Sequence, residues 1–252
     1  MKKLAIIGDG KMGTRIKEMA PEAGLDPVLI LGEHNNQNGS GITKENFGKI
    51  DVAIDFSHPS AVKTNILRCL QLGIPVVVGT TGWHDGSGWA ENLVKEHSGK
   101  LLYGSNFSLG VQLFIKLAAQ AGKLFGSSDL FHAALNEIHH TEKADAPSGT
   151  AITLAKSFLG KNSRYRKTGY GIPEQKKVDP EVFRLTSQRI GGVYGEHSIR
   201  INSEWDDIEI SHKARNRDGF AAGALKAGLW ITDQPSGFYL IEDVVEKILS
   251  TT

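Results

Sequence analysis

The first hundred residues alternate short apolar runs with amphipathic stretches, and this rhythm restricts the fold more than any other feature of the chain. The runs "KLAII", "PVLIL", "DVAIDF", "IPVVVG" and "KLLYG" have strand length and are almost wholly apolar. Between them lie segments of helical character, including one opened by "SHPSAV" and another around Trp89 to His97. A strand covered on both faces reads as a near-continuous apolar run, so the pattern predicts a parallel sheet with helices on both sides. Right-handed crossovers then bring the loops that follow the strands to one edge. Those loops are Gly8 to Gly13, Glu33 with His34, Phe56 to Pro59, Gly79 to Gly82 and Ser105 to Ser108.

The first loop spaces Gly8, Gly10 and Gly13 as G-x-G-x-x-G, and "PVLIL" ends just before Glu33, twenty residues beyond Gly13. The motif is weak alone, but its place between a strand and a helix gives it weight. In such a unit Gly8 makes the tight turn, Gly10 lets the backbone approach a pyrophosphate, Gly13 lets helix pack on strand, and Glu33 accepts hydrogen bonds from a ribose. A Rossmann-type, doubly wound parallel sheet that binds a dinucleotide is therefore expected. Asp9, Lys11 and Met12 in the turn, and His34 beside Glu33, join the glycines as cofactor-binding candidates. Ligands in these sheets bind outside the carboxyl ends of the strands, so Gly79, Thr80 and Thr81 of "GTTG", with Ser105, Asn106 and Phe107 of "SNFS", are candidates for the nicotinamide end.

At 252 residues the chain has room for one large or two modest domains. Its formal net charge of +1 implies no strong pull toward nucleic acid or a membrane surface. The single cysteine, Cys69, excludes a disulfide scaffold within the chain, fits a reducing compartment, and reads as a packed core thiol. "MKKLAIIGDG" opens like a signal peptide, yet its apolar run stops after four residues, which suits a strand. No apolar stretch approaches the length of a membrane span, so a soluble, cytoplasmic protein is expected.

After "LGVQLFIKLAAQAGKLFG" the pattern changes to longer strands with period-two alternation, "EVFRLTSQRI", "GEHSIRINSE" and "DIEISHKA". This predicts a second, α+β domain with a mixed or antiparallel sheet. The basic "KNSRYRKTGYGIPEQKK" reads as a solvated loop at its edge, while "FAAGALKAGLWI" and "LIEDVVEKIL" read as helices able to return to the first sheet.

The densest chemistry lies in "NEIHHTEKADAPSGTA", from Asn136 to Ala151. Leu130 to His140 suits a mostly buried strand; Pro147 opens a helix with apolar residues at Ala151, Leu154, Ala155, Phe158 and Leu159, and Gly160 is placed to end it. Ser148, Gly149 and Thr150 then form an anion cradle at the helix N-terminus. Neighbours on a strand point to opposite faces, which argues against a metal pair of His139 and His140, and no metal is expected. What remains is one histidine and Lys143 beside a place for a carboxylate or phosphate.

These residues resemble the dihydrodipicolinate (4-hydroxy-tetrahydrodipicolinate) reductase family over nearly the full length. "EIHHTEKADAPSGTA" looks like the family signature, and "GTTGW", "SNFSLGV", "GEH" at Gly195 to His197 and "HKARNRDGFAAGAL" follow the family order. The resemblance implies a Rossmann domain from residues 1–108 and 218–252, a middle substrate domain at 109–217, and a homotetramer built by the middle domain's sheet. It implies a small cyclic dicarboxylate substrate of lysine and diaminopimelate synthesis, hydride from a reduced nicotinamide, substrate binding by His140, Ser148, Gly149 and Thr150, and proton donation by His139 and Lys143.

Two departures bear on the cofactor. Many relatives read G-x-x-G-R-M-G where this chain has the shorter "GDGKMG". Where some NADPH-using members place arginines, this chain has Lys11, His34 and His58, while Glu33 suits a free 2′-hydroxyl. NADH is therefore expected to serve at least as well as NADPH. Rival readings are another two-domain Rossmann reductase, such as a homoserine or semialdehyde dehydrogenase, and a non-catalytic NAD(H)-binding redox sensor. Cys69 sits in a predicted helix of the first domain, where a semialdehyde dehydrogenase needs its nucleophile after that domain. A sensor needs no proton donor beside an anion cradle.

Overall fold

In the computed structural model the described residues are 1–84, 88–126, 128–160, 162, 164–171 and 179–250. The chain divides into two compact units, Met1–Leu109 with Arg217–Thr252, and Gly110–Asn216.

The first unit contains β1 (Lys2–Ile7), α1 (Lys11–Met19), β2 (Leu25–Leu31), the short α2 (Lys44–Phe47), β3 (Val52–Asp55), α3 (Pro59–Gln71), β4 (Val76–Val78), α4 (Trp89–Glu96) and β5 (Lys100–Tyr103). Three further elements of this unit, α7 (Asp218–Thr232), β11 (Gly237–Leu240) and α8 (Ile241–Ser250), come after the second unit in the chain. Its strands run parallel in the order β11-β5-β4-β3-β1-β2. On one face Val62, Ile66, Cys69, Leu70, Ala90 and Leu93 from α3 and α4 pack against Ala5, Ala53, Val76 and Leu101. On the other, Ile16 of α1, Ala224, Leu225 and Ile231 of α7 and Val244 of α8 pack against Leu4, Ile6, Ile54 and Val77. The apolar runs are thus buried from both sides, as strands of a helix-covered parallel sheet are. Cys69 is a core thiol: burial pushes its pKa up, the opposite of what a nucleophile needs. One strand was not legible: "GFYL" forms β11 at the sheet edge beside β5.

The second unit contains α5 (Leu109–Phe125), β6 (His132–His139), α6 (Gly149–Leu159), β7 (Lys167–Tyr170), β8 (Val182–Arg189), β9 (Glu196–Asn202) and β10 (Asp207–Lys213). Its sheet has the order β10-β9-β6-β8-β7 and is mixed: β6 runs antiparallel to β9 and parallel to β8. Phe114 and Ala118 of α5 and Leu154 and Phe158 of α6 close one face over Leu135, Phe183, Leu185, Ile199 and Ile201. The other face presents polar side chains, among them Asn136, Thr186, Ser198, Arg200 and Glu209. The solvated loop expected from Lys161 to Lys177 needs correction, because Lys167–Tyr170 pairs in parallel with β8 as the edge strand. An edge strand with its lysines exposed is as polar as a loop, so polarity alone misreads it. Residues 161, 163 and 172–177 of that stretch lie outside the described residues.

Candidate active site

In the first unit the chain leaves β1 toward β2 on one side and later builds β3, β4 and β5 on the other. A ligand crevice is expected where the order reverses, outside the strands' carboxyl ends. A cavity of about 820 Å³ opens there, lined by Gly8, Asp9 and Gly10 after β1, Gly32 and Glu33 after β2, and Phe56, Ser57 and His58 after β3.

The three glycines serve different needs. Gly8 has φ +109°, and a Cβ on it would stand 2.3 Å from the Phe56 carbonyl oxygen. A Cβ on Gly13 would stand 1.8 Å from the Gly8 carbonyl oxygen, so α1 lies against the turn only because Gly13 has none. At Gly10 a Cβ would meet nothing within 4 Å. Gly10 is also the N-cap of α1 and provides no side-chain hydrogen bond to the helix, which suits the first N–H groups to an anion such as a pyrophosphate. Asp9 and Glu33 are exposed on the lining, and His34 Nδ1 lies 3.9 Å from Asp9 Oδ2. Lys11 is exposed, whereas Met12 packs on the core beneath α1.

The other cofactor candidates divide between surface and support. Thr80 turns inward, donating from Oγ1 to the fully buried Asp55 at 2.9 Å. Asp55 also accepts from Ser57 N, Ser57 Oγ and Asn65 Nδ2 at 2.9, 2.7 and 2.9 Å. Burial pushes its carboxyl pKa up, and these hydrogen bonds pull the other way. Asn65 Oδ1 accepts from Asn36 Nδ2 at 3.0 Å, and Asn36 Oδ1 accepts from Gly41 N at 3.1 Å, so a buried polar chain pins the loops around the cavity. Gly79 is required by Phe56, whose ring would stand 2.1 Å from a Cβ there. Phe107 is core, with its ring centroid 5.8 Å from that of Phe56. Thr81 and Ser105 are exposed, and Asn106 Oδ1 accepts from Ser108 N. None of Gly79 to Thr81 or Ser105 to Phe107 lines the cavity.

In the second unit, alternation along β6 turns Leu135, Glu137 and His139 inward, all three buried. The first belongs to the core and the next two to a charged cluster where the strand ends. Register completes it: Glu137 pairs with Ser187 of β8 and His197 of β9, and His139 pairs with Arg189 of β8. His139 Nδ1 lies 2.7 Å from Glu137 Oε2, and Arg189 Nη1 and Nη2 both donate to Glu137 Oε1 at 3.2 Å. Ser148 N donates to the same oxygen at 3.1 Å. Burial pushes the Glu137 carboxyl up, but hydrogen bonds from His139, Ser148 and Ser187 and the charge of His139 outweigh it and hold the carboxyl well below the ordinary range. The ring centroid of His197 lies 5.1 Å from that of His139; burial, with the charge of His139, pushes the His197 pKa down to about 4. Gly195, at φ +146°, leaves room for His139, since a Cβ there would stand 3.0 Å from Nε2.

The structure separates the remaining candidates. His140 is half-buried, and its Nδ1 is enclosed without a hydrogen-bond partner among the described residues. Lys143 Nζ pairs with Asp145 Oδ1 at 2.7 Å, and that hydrogen bond holds the Asp145 carboxyl below its ordinary range. Ser148 caps α6: its Oγ accepts from Ala151 N at 3.1 Å and lies 3.3 Å from His197 Nε2, so this buried side chain is engaged within the protein. Gly149 is exposed and would carry a Cβ into open space, and Thr150 is half-buried beside it. Glu137, His139 and His197 are close enough to share a metal ion. Yet ligands of one tetrahedral ion at ~2.0–2.1 Å stand about 3.3 Å apart. The 2.7 Å contact of His139 with Glu137, and the guanidinium already on that carboxylate, fit an ion-paired network instead.

Glu137 and Arg189, like Asp55, Asn36 and Asn65 in the first unit, escaped the sequence reading, and His197 entered it only as the end of "GEH", with no role. Only Glu137 had a local signal, being two residues before His139 and so on the same strand face.

Residues 2–107 match the family model described as dihydrodipicolinate reductase, N-terminus, and residues 110–245 match its C-terminus. A 4-hydroxy-tetrahydrodipicolinate reductase of Christiangramia forsetii is 37% identical over 246 residues, covering 97% of this chain and 98% of the relative. One of Zymomonas mobilis is 34% identical over 250 residues, 96% of each chain. A dipicolinate-bound dihydrodipicolinate reductase of Paenisporosarcina shares the fold with a TM-score of 0.75 at 22% identity, over 96% of this chain and 99% of the other. An amine dehydrogenase of Mycobacterium smegmatis aligns with a TM-score of 0.62 at 9% identity, over 96% and 95% of the two chains. Two family models covering both units, and relatives above 30% identity along almost the whole length, place the chain: it belongs to the dihydrodipicolinate reductase family.

Proposed function

We propose that this protein is an NAD(P)H-dependent 4-hydroxy-tetrahydrodipicolinate reductase, which forms tetrahydrodipicolinate in lysine and diaminopimelate biosynthesis. The observation that carries the reading is the cluster of buried Glu137 and His139 with half-buried Arg189 in a chain of this family, beside the N-terminus of α6. The first unit holds the dinucleotide, with the pyrophosphate at Gly10 and the α1 N-terminus and the ribose at Glu33. The substrate's hydroxyl leaves as water to give a conjugated ring, and a bound reduced nicotinamide would supply the hydride to that ring. Gly149 and Thr150 at the start of α6, with His140, hold a substrate carboxylate, and the capping hydroxyl of Ser148 fixes that helix end. His139 has Nδ1 committed to Glu137, so Nε2 is the nitrogen that donates a proton to the carbon next to the reduced one. Lys143 acts with it as the second donor; its exchange of Asp145 for a substrate carboxylate relieves the crowding of negative charge.

Asp9 and Glu33 line the cavity with neither lysine nor arginine among the lining residues, which supports use of NADH at least as readily as NADPH. Assembly as a homotetramer through the polar face of the second sheet belongs to the same reading, and light scattering of the purified protein tests it. No helix among the described residues is long and apolar enough to cross a membrane.

The reaction is tested by following NADH and NADPH oxidation, at matched concentrations, on the freshly made condensation product of pyruvate and aspartate semialdehyde. Oxidation that depends on that product supports the proposal. A folded protein that binds NADH and leaves it unoxidised would replace the reductase with a sensor.

A further inference from the structure

The two proposed proton donors sit four residues apart, one at the end of a strand and one in the loop beyond it. A strand end and a loop drift independently unless something ties them. Arg189, the last residue of β8, is placed to be that tie. Toward β6 its Nη1 and Nη2 donate to Glu137 Oε1, whose partner oxygen meets His139 Nδ1 at 2.7 Å. Toward the loop its Nε donates to the Lys143 carbonyl at 3.3 Å and its Nη2 to the Asp145 carbonyl. Nη1 also donates to the Gln188 carbonyl at 2.7 Å, which anchors the fork to its own strand. The backbone supports the arrangement, with Ile190 N donating to the His139 carbonyl at 2.8 Å.

We propose that Arg189 is the positioning residue of the reaction: one guanidinium orients His139 through Glu137 and Lys143 through the carbonyls of its loop, so the two donors are set as a unit. The inference rests on the proton-donor reading above and adds what fixes the donors' geometry. Chemistry supports the choice of arginine. Five N–H donors in a rigid plane reach a carboxylate and several carbonyls at once, whereas a lysine ammonium offers a point charge with no fixed fork. Reacting groups displaced by about 1 Å lose on the order of 10²-fold in rate, which sets the scale of the effect.

The experiment uses Arg189→Ala and Arg189→Lys in the full-length protein, with His139→Gln and Lys143→Ala as controls. Arg189→Ala is expected to lower kcat by roughly 10- to 100-fold with NADH affinity, read by fluorescence titration, within twofold of wild type. Added guanidinium ion is expected to restore part of the loss, and Arg189→Lys to lose about tenfold without rescue. Combining Arg189→Ala with Lys143→Ala is expected to cost less than the product of the single losses, as groups acting as a unit do. A readout independent of turnover is the ¹⁵N spectrum of His139, in which the Nδ1 signal should move from its wild-type position in both Arg189 variants. Should Arg189→Ala fail to fold, Arg189→Lys and its spectrum carry the test. Folded Arg189 variants with wild-type kcat and an unchanged His139 spectrum overturn the inference. If His139→Gln and Lys143→Ala both turn over normally, the proton-donor reading falls instead, and the spectrum alone decides whether Arg189 orients His139.

Discussion

The first unit's cavity is shaped by side chains that are missing, and the second unit's cluster by side chains that are buried. Around the cavity, Gly8, Gly10 and Gly13 leave the space into which backbone or ligand fits, and behind it Gly79 leaves room for the Phe56 ring. In the cluster, the buried Glu137 carboxylate is met by the half-buried Arg189 guanidinium and by His139, with the buried His197 ring beside them. A site of the first kind depends on local backbone geometry, held here by the buried Asp55, Asn65 and Asn36 chain. A site of the second kind depends on every charge having its partner, because removing one leaves another buried and uncompensated.

That contrast is breakable, beginning with the largest effect. His139→Gln and Lys143→Ala should each lower kcat by about 10²–10⁴ with NADH affinity little changed, and steady-state kinetics with a parallel NADH titration would show it. Near-normal turnover in both would mean the cluster is structural. Next, Gly13→Ala sets a Cβ against backbone that has no rotamer to yield, so a loss of about 1–3 kcal/mol is expected, with weakened NADH binding. Gly10→Ala should leave the melting temperature nearly unchanged, and equal Tm losses in the two would sink the assignment of different duties to these glycines. Smaller again, Glu33→Ala should move the NADPH-to-NADH rate ratio toward NADPH by about tenfold, or 1.4 kcal/mol. An unmoved ratio would place cofactor choice elsewhere on the cavity wall.

The smallest effect concerns pH. His197 has a folded pKa of about 4 against about 6.5 in an unfolded chain. Below pH 6.5 the unfolded state therefore takes up a proton that the folded state refuses, and stability falls as pH drops toward 4. Between pH 7 and 5.5 this group accounts for about 1 kcal/mol, or roughly 2–4 °C in Tm. His197→Asn should flatten the Tm-against-pH curve in that window. Glu137, whose carboxyl is held low, loses its contribution as pH falls through the ordinary carboxylate pKa and below, under most of the range in which His197 acts.

The same contrast explains what could be read without coordinates. The glycine turn, Glu33 and the five apolar strands of the first unit were legible because each depends on neighbours in sequence. The strand and helix around "HHTEKADAPSGTA" were legible for the same reason. Arg189 and His197 were not, because they reach Glu137 only through pairing of β6 with β8 and β9, and register between distant strands leaves no local mark. Phe107 and Thr80 show that a loop at the correct edge of the sheet can still turn its side chains into the core. The strand "GFYL" was hidden by its shortness, and Lys167–Tyr170 by its polarity.

The split order of the first unit has a consequence for its birth on the ribosome. When residue 109 emerges, five of the six strands exist, but α7, α8 and β11 are still uncoded by more than a hundred residues. At about 5–20 residues per second, several seconds to half a minute pass before α7 covers Leu4, Ile54 and Val77 and β11 pairs with β5. Throughout that interval the nascent sheet shows water an apolar face and an open edge at β5, the features that make partly made chains adhere to one another. The second unit, whose helices and strands lie in one continuous stretch, passes through no such wait.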